Sequence, residues 1–432
     1  MSQQPPQKAN FLQTFLIVTT IFLGYNLFFG GANKQTDTRS ATQILQSMQK
    51  LNKDVKDITI VEELRKFESK INESEGDNKK SKTEIEQLKI HGVLLAAHTQ
   101  YTAGMQRKET GRLQKAYDTL YSVRREFHNK PIWKEKFTVS STKFFGSDNI
   151  TPKELYGKIS KDLHALNKTE KIFGFFPGYN FIDTLVSITG SNPAFSYGFA
   201  AVLLAFLVRI AIWPLAQKTF MHSRQMSQLM PLINELKEKY EGQKLNEKVM
   251  ELHKEYGINP VSGCLPALAQ IPLFLLIYQA MLHYRFEFKN GSFFWINQAT
   301  SDATGGFIAP SLGEQDYILI VVYGISMIVT TLLTPVSDPV NGKQQRMTGM
   351  MIAAFFSVMM FFWHLPSAFI LYWICTNVFA TAQTLWSYRL PVPPLMKKSE
   401  SGGSAPVSSM MDKSMFKSTG TPRKVKSKKK KS

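Results

Sequence analysis

The chain has 432 residues and a mass of 49.1 kDa, is 44% hydrophobic and 20% charged, and carries a net charge of +19 with a mean hydropathy of −0.15. Two cysteines cannot build a disulfide scaffold, and Leu, Ile, Val, Phe and Met are too plentiful for a disordered chain. The averages would suit a soluble protein, but the apolar residues collect into long runs while the charges crowd into 33–171, 216–260 and 388–432, which is the distribution of a membrane protein.

A helix needs about twenty apolar residues to cross the hydrocarbon core, because a lipid-exposed backbone must satisfy its own hydrogen bonds. Residues 11–29 form the first such run, after a leader whose one charge is Lys8, and read as an uncleaved signal anchor rather than a signal peptide. Residues 1–30 are therefore expected to be an N-terminal transmembrane anchor.

Residues 31–171 are expected to be a small helical domain. Ile44, Leu45, Met48 and Leu51 repeat at three and four, as do Leu113, Tyr117, Leu120, Tyr121 and Arg124, and a polar insert from Glu73 to Lys82 separates two helices from a pair over 91–103 and 111–127. A peptide-binding repeat and a plain packing domain both fit this pattern. The aromatic stretch 172–190, broken by Asn180, Asp183 and Thr184, is too polar to span and reads as an amphipathic helix lying in a membrane interface, with an ordinary linker as the alternative.

The second span covers about 195–215 and contains Arg209, which sits some 9 Å from its charged end at 1.5 Å per residue. A guanidinium in hydrocarbon costs about 2.5–3.5 kcal/mol by insertion scales. Either it snorkels to the headgroups or it faces water inside the protein, since none of the spans contains Asp or Glu to neutralise it. Residues 216–260 then alternate in charge on both sides of Gly242, the signature of a two-helix hairpin that Gly257 terminates.

Four more spans follow at 264–282, interrupted by Pro266 and Pro272, at 317–334, at 347–363 and at 368–386, with only four residues between the last two. Lys and Arg are plentiful in 216–260, in 335–346 and after 388, whereas 286–316 holds Lys289 alone. The basic segments are accordingly expected in the cytoplasm, with both termini inside and 31–171 outside. Residues 391–432, ending in Lys428 to Lys431, read as a disordered, polyanion-seeking tail.

Gln270, Thr330, Thr331, Thr376, Asn377, Thr381 and Gln383 are polar positions within the spans, suited to lining a polar cavity or to making interhelical hydrogen bonds. There is no intramembrane acid for ion coupling, no nucleophile with its base, no phosphate loop and no metal motif, so neither catalytic residues, a cofactor nor a metal site is expected. Cys264 and Cys375 fall in apolar runs and read as small buried hydrophobes. A polytopic transporter or channel is the alternative that a polar cavity leaves open, although no inverted repeat is visible.

Three segments carry a resemblance. Arg209 in Phe-Leu-Val-Arg-Ile-Ala-Ile-Trp-Pro-Leu, then Asn259-Pro260, Gly263-Cys264, Pro266, Gln270 and Pro272, then Leu371-Tyr-Trp-Ile-Cys-Thr-Asn occur in one order with the charged hairpin and the basic tail. Over about 172–390 the chain resembles the YidC membrane protein insertases, relatives of the mitochondrial and chloroplast insertases. The resemblance implies an all-α polytopic membrane protein of the bacterial inner membrane. Its core would be a bundle of five transmembrane helices with a groove open to cytoplasm and lipid, in which Arg209 attracts acidic residues of a substrate. Gln270 and Asn377 match polar positions of that groove, and Tyr372 and Gln383 are further candidates for substrate contact. The implied partners are nascent membrane proteins, the Sec translocon, the bilayer and, through the basic tail, the ribosome, with no specific DNA binding. Residues 31–171 depart from the family's Gram-negative members, whose corresponding domain is β-sandwich-like, and position 205 is Ala where a groove Thr is expected.

Overall fold

The computed structural model describes residues 37–76, 81–140, 142, 144–258, 265–334 and 342–391. The expected anchor at 11–29, the motif at 259–264 and the tail beyond 391 lie outside these. The chain divides into two compact units, one formed by residues up to 212 with 269–334 and 346–383, the other by 213–268, 335–345 and the residues from 384 on.

The first unit opens with five helices. They are α1 (Ala41–Lys53), α2 (Asp57–Gly76), α3 (Lys82–Arg107), α4 (Thr110–Phe127) and α5 (Pro152–Thr169), with a ribbon of β1 (Phe137–Thr138) and β2 (Asn149–Ile150) between the last two. The ribbon is antiparallel and only two residues long. Helix α3 is the core element: residues 92–104 are buried without interruption, and α2, α4 and α1 pack around it. Helix α3 starts nine residues before the expected 91–103 stretch, and α5 was not resolved by the periodicity; both starts have local causes. Helix α3 begins at a Ser81 cap, and α5 begins at a capping box in which Thr151 accepts from the Glu154 backbone while the Glu154 carboxylate accepts from the Thr151 N–H, with Pro152 in the first turn.

His98 lies in this core, fully buried, with its Nδ1 accepting from Asn52 Nδ2 at 3.0 Å and its Nε2 without a partner among the described residues. Burial pushes its pKa down to about 4. The unfolded ring takes up a proton near pH 6.5 and the folded ring does not, so stability is complete above pH 6.5 and falls as the pH drops towards 4. The loss at pH 4 is expected to reach about 3 kcal/mol. Thermal unfolding of residues 37–171 within the intact chain, followed by hydrogen exchange at a series of pH values, checks this: His98→Leu should flatten the acid limb, and an equal acid slope in both proteins would contradict it.

Helix α6 (Gly178–Ile188) follows, shorter than the expected amphipathic stretch. Its Tyr179, Ile182, Leu185 and Val186 are buried in the unit's core. Gly178 is required there, since a Cβ would lie 2.8 Å from Ala280 Cβ and 3.1 Å from its Cα, so α6 rests almost backbone to backbone on the apolar helix that carries Ala280.

The apolar helices are α7 (Ser196–Lys239), α9 (Leu265–His283), α12 (Tyr317–Leu333), α13 (Gly342–Phe362) and α14 (Ser367–Tyr388); α8 (Gly242–Glu255) is charged, and α10 (Arg285–Phe288) and α11 (Gln298–Ala303) are short turns of helix within the 284–316 segment. Of these, α7, α13 and α14 are long and apolar enough to cross a membrane, and 270–283 and 317–333 are shorter apolar helices. Many of their large side chains, Phe206, Ile210, Val321, Ile325, Phe356 and Val378 among them, stand exposed. Such faces suit lipid rather than water. The fold is that of an all-α polytopic membrane protein.

One expectation needs correction. The second span and the first arm of the charged hairpin are not separate elements: α7 runs unbroken through 44 residues, past both Pro214 and Pro231. The onset of charge near residue 216 marks a change of surroundings, and the helix continues through it.

Candidate functional site

Arg209 is placed by the register of α7. Ala201 and Ala205, at two turns and one turn before it on the same face, are buried to 1% and 0% exposure, while Phe206, Leu207 and Ile210 stand outward. The guanidinium therefore starts from the side of the helix that packs inward. Its Nε is buried and has no hydrogen-bond partner among the described residues, and no described acid pairs with it. The stem of the side chain, as far as Nε, is thus held away from water, while the residue as a whole is half-buried.

The other expected positions fall into three groups. Asn377 donates from Nδ2 to Ser326 Oγ at 3.0 Å, and Thr330 and Thr381 share a hydroxyl contact at 2.9 Å, so the i, i+4 pairs Ser326/Thr330 on α12 and Asn377/Thr381 on α14 form a polar ladder between two apolar helices. Tyr372 and Gln383 on α14 are buried, Tyr372 stacking with Phe369. Gln270 on α9 is exposed. Neither a hydrogen bond nor an ion pair joins Arg209 to any of them. Ser326 was missed by the sequence reading, although its spacing of four from Thr330, matched by that of Asn377 and Thr381, is the signal that pairs it. Among the described residues no group of His, Cys, Asp and Glu could hold a metal ion, and Cys375 is a half-buried free thiol.

The second unit holds the charged hairpin. Leu229 and Ile233 on α7 close a small core with Ile258, flanked by Met226, Met230, Val249 and Leu252. Helix α8 ends as the sequence implies: Gly257 adopts a φ of 65°, its N–H donates to Lys254 O, and the Ile258 N–H donates to His253 O, which delivers Ile258 to the core. At the base of the hairpin Arg224 Nη1 donates to the carbonyls of Ser387 and Leu390 at 3.0 and 2.6 Å. A cation on these carbonyls, one in the last turn of α14 and one just past it, complements the negative end of that helix.

With this geometry in place the comparisons with known proteins become specific. The model of a family described as 60Kd inner membrane protein matches residues 188–393. The match takes in a little under half of the chain. The matched segment contains Arg209, the polar ladder and the whole hairpin, and excludes α1 to α5. Over 199 residues the chain is 36% identical to the membrane protein insertase YidC of Oleidesulfovibrio alaskensis, covering 45% of this chain and 35% of that protein. It is 35% identical over 197 residues to the same-named protein of Nitratidesulfovibrio vulgaris strain Miyazaki F, again covering 45% and 35%. A longer match, 29% identical over 327 residues, covers 72% of this chain and 59% of the insertase YidC of Lawsonia intracellularis. The matched part spans about a third of the length of the first two relatives.

Proposed function

We propose that the chain is a membrane protein insertase and chaperone of the bacterial inner membrane, acting on nascent membrane proteins without a covalent step. The observation that carries this reading is Arg209: a buried, unpartnered guanidinium nitrogen on the inward face of an apolar helix, inside the segment that matches the 60Kd inner membrane protein model in a chain similar to the YidC insertases. A fixed cation in a low-dielectric setting attracts the acidic residues of a passing segment, and burial of that segment's apolar surface in lipid, at about 25 cal/mol per Å², drives its release.

The topology proposed places both termini and the charged hairpin in the cytoplasm and α1 to α5 outside, with 1–30 as the anchor, 31–171 as the outer domain, 172–390 as the insertase core and 391–432 as the tail. Asn377 and Gln270 are proposed to border the path of the substrate, with Tyr372 and Gln383 behind them. The Sec translocon, the ribosome through the basic tail and the bilayer are the proposed partners.

The test is reconstitution of the purified chain alone into liposomes, followed by protease protection of a two-span substrate with an acidic translocated loop. Protection of that loop supports the reading. A chain that protects nothing, or that instead passes ions or solutes across the same liposomes, would overturn it.

A further inference from the structure

Helices α1 to α5 lie outside the segment that matches the family model, yet they are not a free appendage. Four charged side chains of the 284–316 segment are paired with residues of the helical domain. Lys289 Nζ donates to Asp118 Oδ1 at 2.6 Å, and Arg285 approaches the other oxygen of the same carboxylate at 3.5 Å. Asp302 lies 3.5 Å from Arg125, which also donates to Ser301 Oγ at 2.9 Å. Glu287 meets His164 Nδ1 at 3.0 Å and accepts from the hydroxyl of Tyr179, on α6, at 2.8 Å. Phe286, fully buried, meets Tyr117 edge-on.

The other side of the same segment holds the ends of the apolar helices. Glu314 O accepts from the Ser367 N–H and Leu312 O from the Ala368 N–H, both at the start of α14. Gln315 Nε2 donates to Met360 O near the end of α13, and Pro193 O, just before α7, accepts from the Ser292 N–H. The 284–316 segment is thus a bar across one end of the bundle, and its opposite side is held by the helical domain.

We propose that the helical domain is a clamp that keeps this bar seated, and that Asp118 is the positioning residue through which it acts, by neutralising the buried Lys289 ammonium. The physical reason is an asymmetry of burial. The Lys289 side chain is 4% exposed and its ammonium lies 4.0 Å from the centre of the Tyr121 ring; among the described residues Asp118 is the one carboxylate within ion-pair distance, with Glu314 acting at longer range. Asp118 is 28% exposed and keeps Arg285 as a second partner. Burial pushes the Lys289 pKa down and the Asp118 charge holds it up, so the carboxylate is what keeps an ammonium tolerable in this place. Remove the carboxylate, and the cation is driven to lift the bar towards water.

The contacts alone carry the clamp; its effect on a passing substrate rests on the insertase reading. The experiment therefore reads the backbone instead of insertion: hydrogen exchange of the full chain in lipid nanodiscs, followed in peptides from 284–316 and 362–369. Asp118→Asn, isosteric but uncharged, should speed exchange in both by about tenfold or more, because a buried ammonium loses its partner. Lys289→Met, which keeps the aliphatic stem and leaves Asp118 to Arg285, should stay within about threefold of the parent, and the double variant should return to the Lys289→Met rate. The clamp is overturned if Asp118→Asn exchanges like the parent, if Lys289→Met opens the bar as far as Asp118→Asn does, or if the double variant is no slower than Asp118→Asn. Exchange in α1, which is remote from Asp118, should not change; if it rises with the bar, Asp118 serves the folding of the domain and the clamp is likewise overturned. None of these outcomes depends on whether the chain inserts anything.

Discussion

Arg209→Ala is expected to lower insertion of a substrate with an acidic translocated loop by roughly tenfold to a hundredfold, and to leave a substrate with a neutral loop within about twofold of the parent. The estimate follows from Coulomb's law: a charge pair some 5 Å apart at an effective dielectric near 20 is worth about 3 kcal/mol, and each 1.4 kcal/mol removed from a barrier is about tenfold in rate. Arg209→Lys should keep most of the activity, because a fixed positive charge, not a fork of donors, is what the account requires. The variant also relieves a burden, since a buried Nε without a partner disappears with the side chain. Thermal stability of Arg209→Ala should accordingly be unchanged or raised, so a loss of insertion would not be a loss of fold. Equal insertion of acidic and neutral loops by parent and Arg209→Ala, read as the protected fraction in liposomes, would remove the electrostatic role.

Asp316→Ala is expected to be the most destabilising single change in the 284–316 segment. Asp316 is fully buried and its carboxylate has three tasks. Oδ1 accepts from the Leu319 N–H at 2.7 Å, capping α12, and from Trp295 Nε1 at 3.2 Å; Oδ2 accepts from the Ala309 N–H at 3.0 Å. Alanine leaves two buried N–H donors and the half-buried Trp295 Nε1 unpaired, a loss of about 3–5 kcal/mol. Asp316→Asn keeps an oxygen for Leu319 and Trp295 but turns an amide N–H2 against the Ala309 N–H, so it should fall between the two. The order parent, Asn, Ala in apparent Tm in detergent is the readout. A fall of less than about 2 °C for Asp316→Ala would show that the segment is held without this carboxylate.

The sequence and the structure agree where the physics is local and diverge where it is not. The spans at 317–334, 347–363 and 368–386 coincide with α12, α13 and α14 to within a few residues, because unbroken apolar runs leave a backbone little besides helix to form. The start of α5 was legible too: Thr151, Pro152 and Glu154 are a capping signal that periodicity alone passed over. By contrast, α7 outlasts the point where Pro214 and the first charges imply a stop, since a proline costs one ladder bond and the flanking turns carry the helix on.

At the candidate site, Arg209 is conspicuous in sequence as a lone charge among apolar residues, while its inward register needed the burial of Ala201 and Ala205. Of the polar positions read as cavity lining or interhelical hydrogen bonds, Asn377 and Thr381 take the second role, tying α14 to Ser326 and Thr330. The pairing of Lys289 with Asp118 had no local signal at all, because a lysine in a loop and an aspartate on a helix 171 residues earlier each look like ordinary solvated charges.

That separation bears on how the molecule is made. Tyr117, Asp118 and Arg125 meet Phe286, Lys289 and Ser301 across 169, 171 and 176 residues of chain. At a synthesis rate of about 5–20 residues per second, the face of α4 that receives them stands open for roughly ten to thirty seconds while α7, α8 and α9 are still being made. Closing such long loops is slow compared with forming helices. Helices α1 to α5 therefore assemble first around α3, and the docking of 284–316 onto them is a late event that waits for all of the chain up to and including α9.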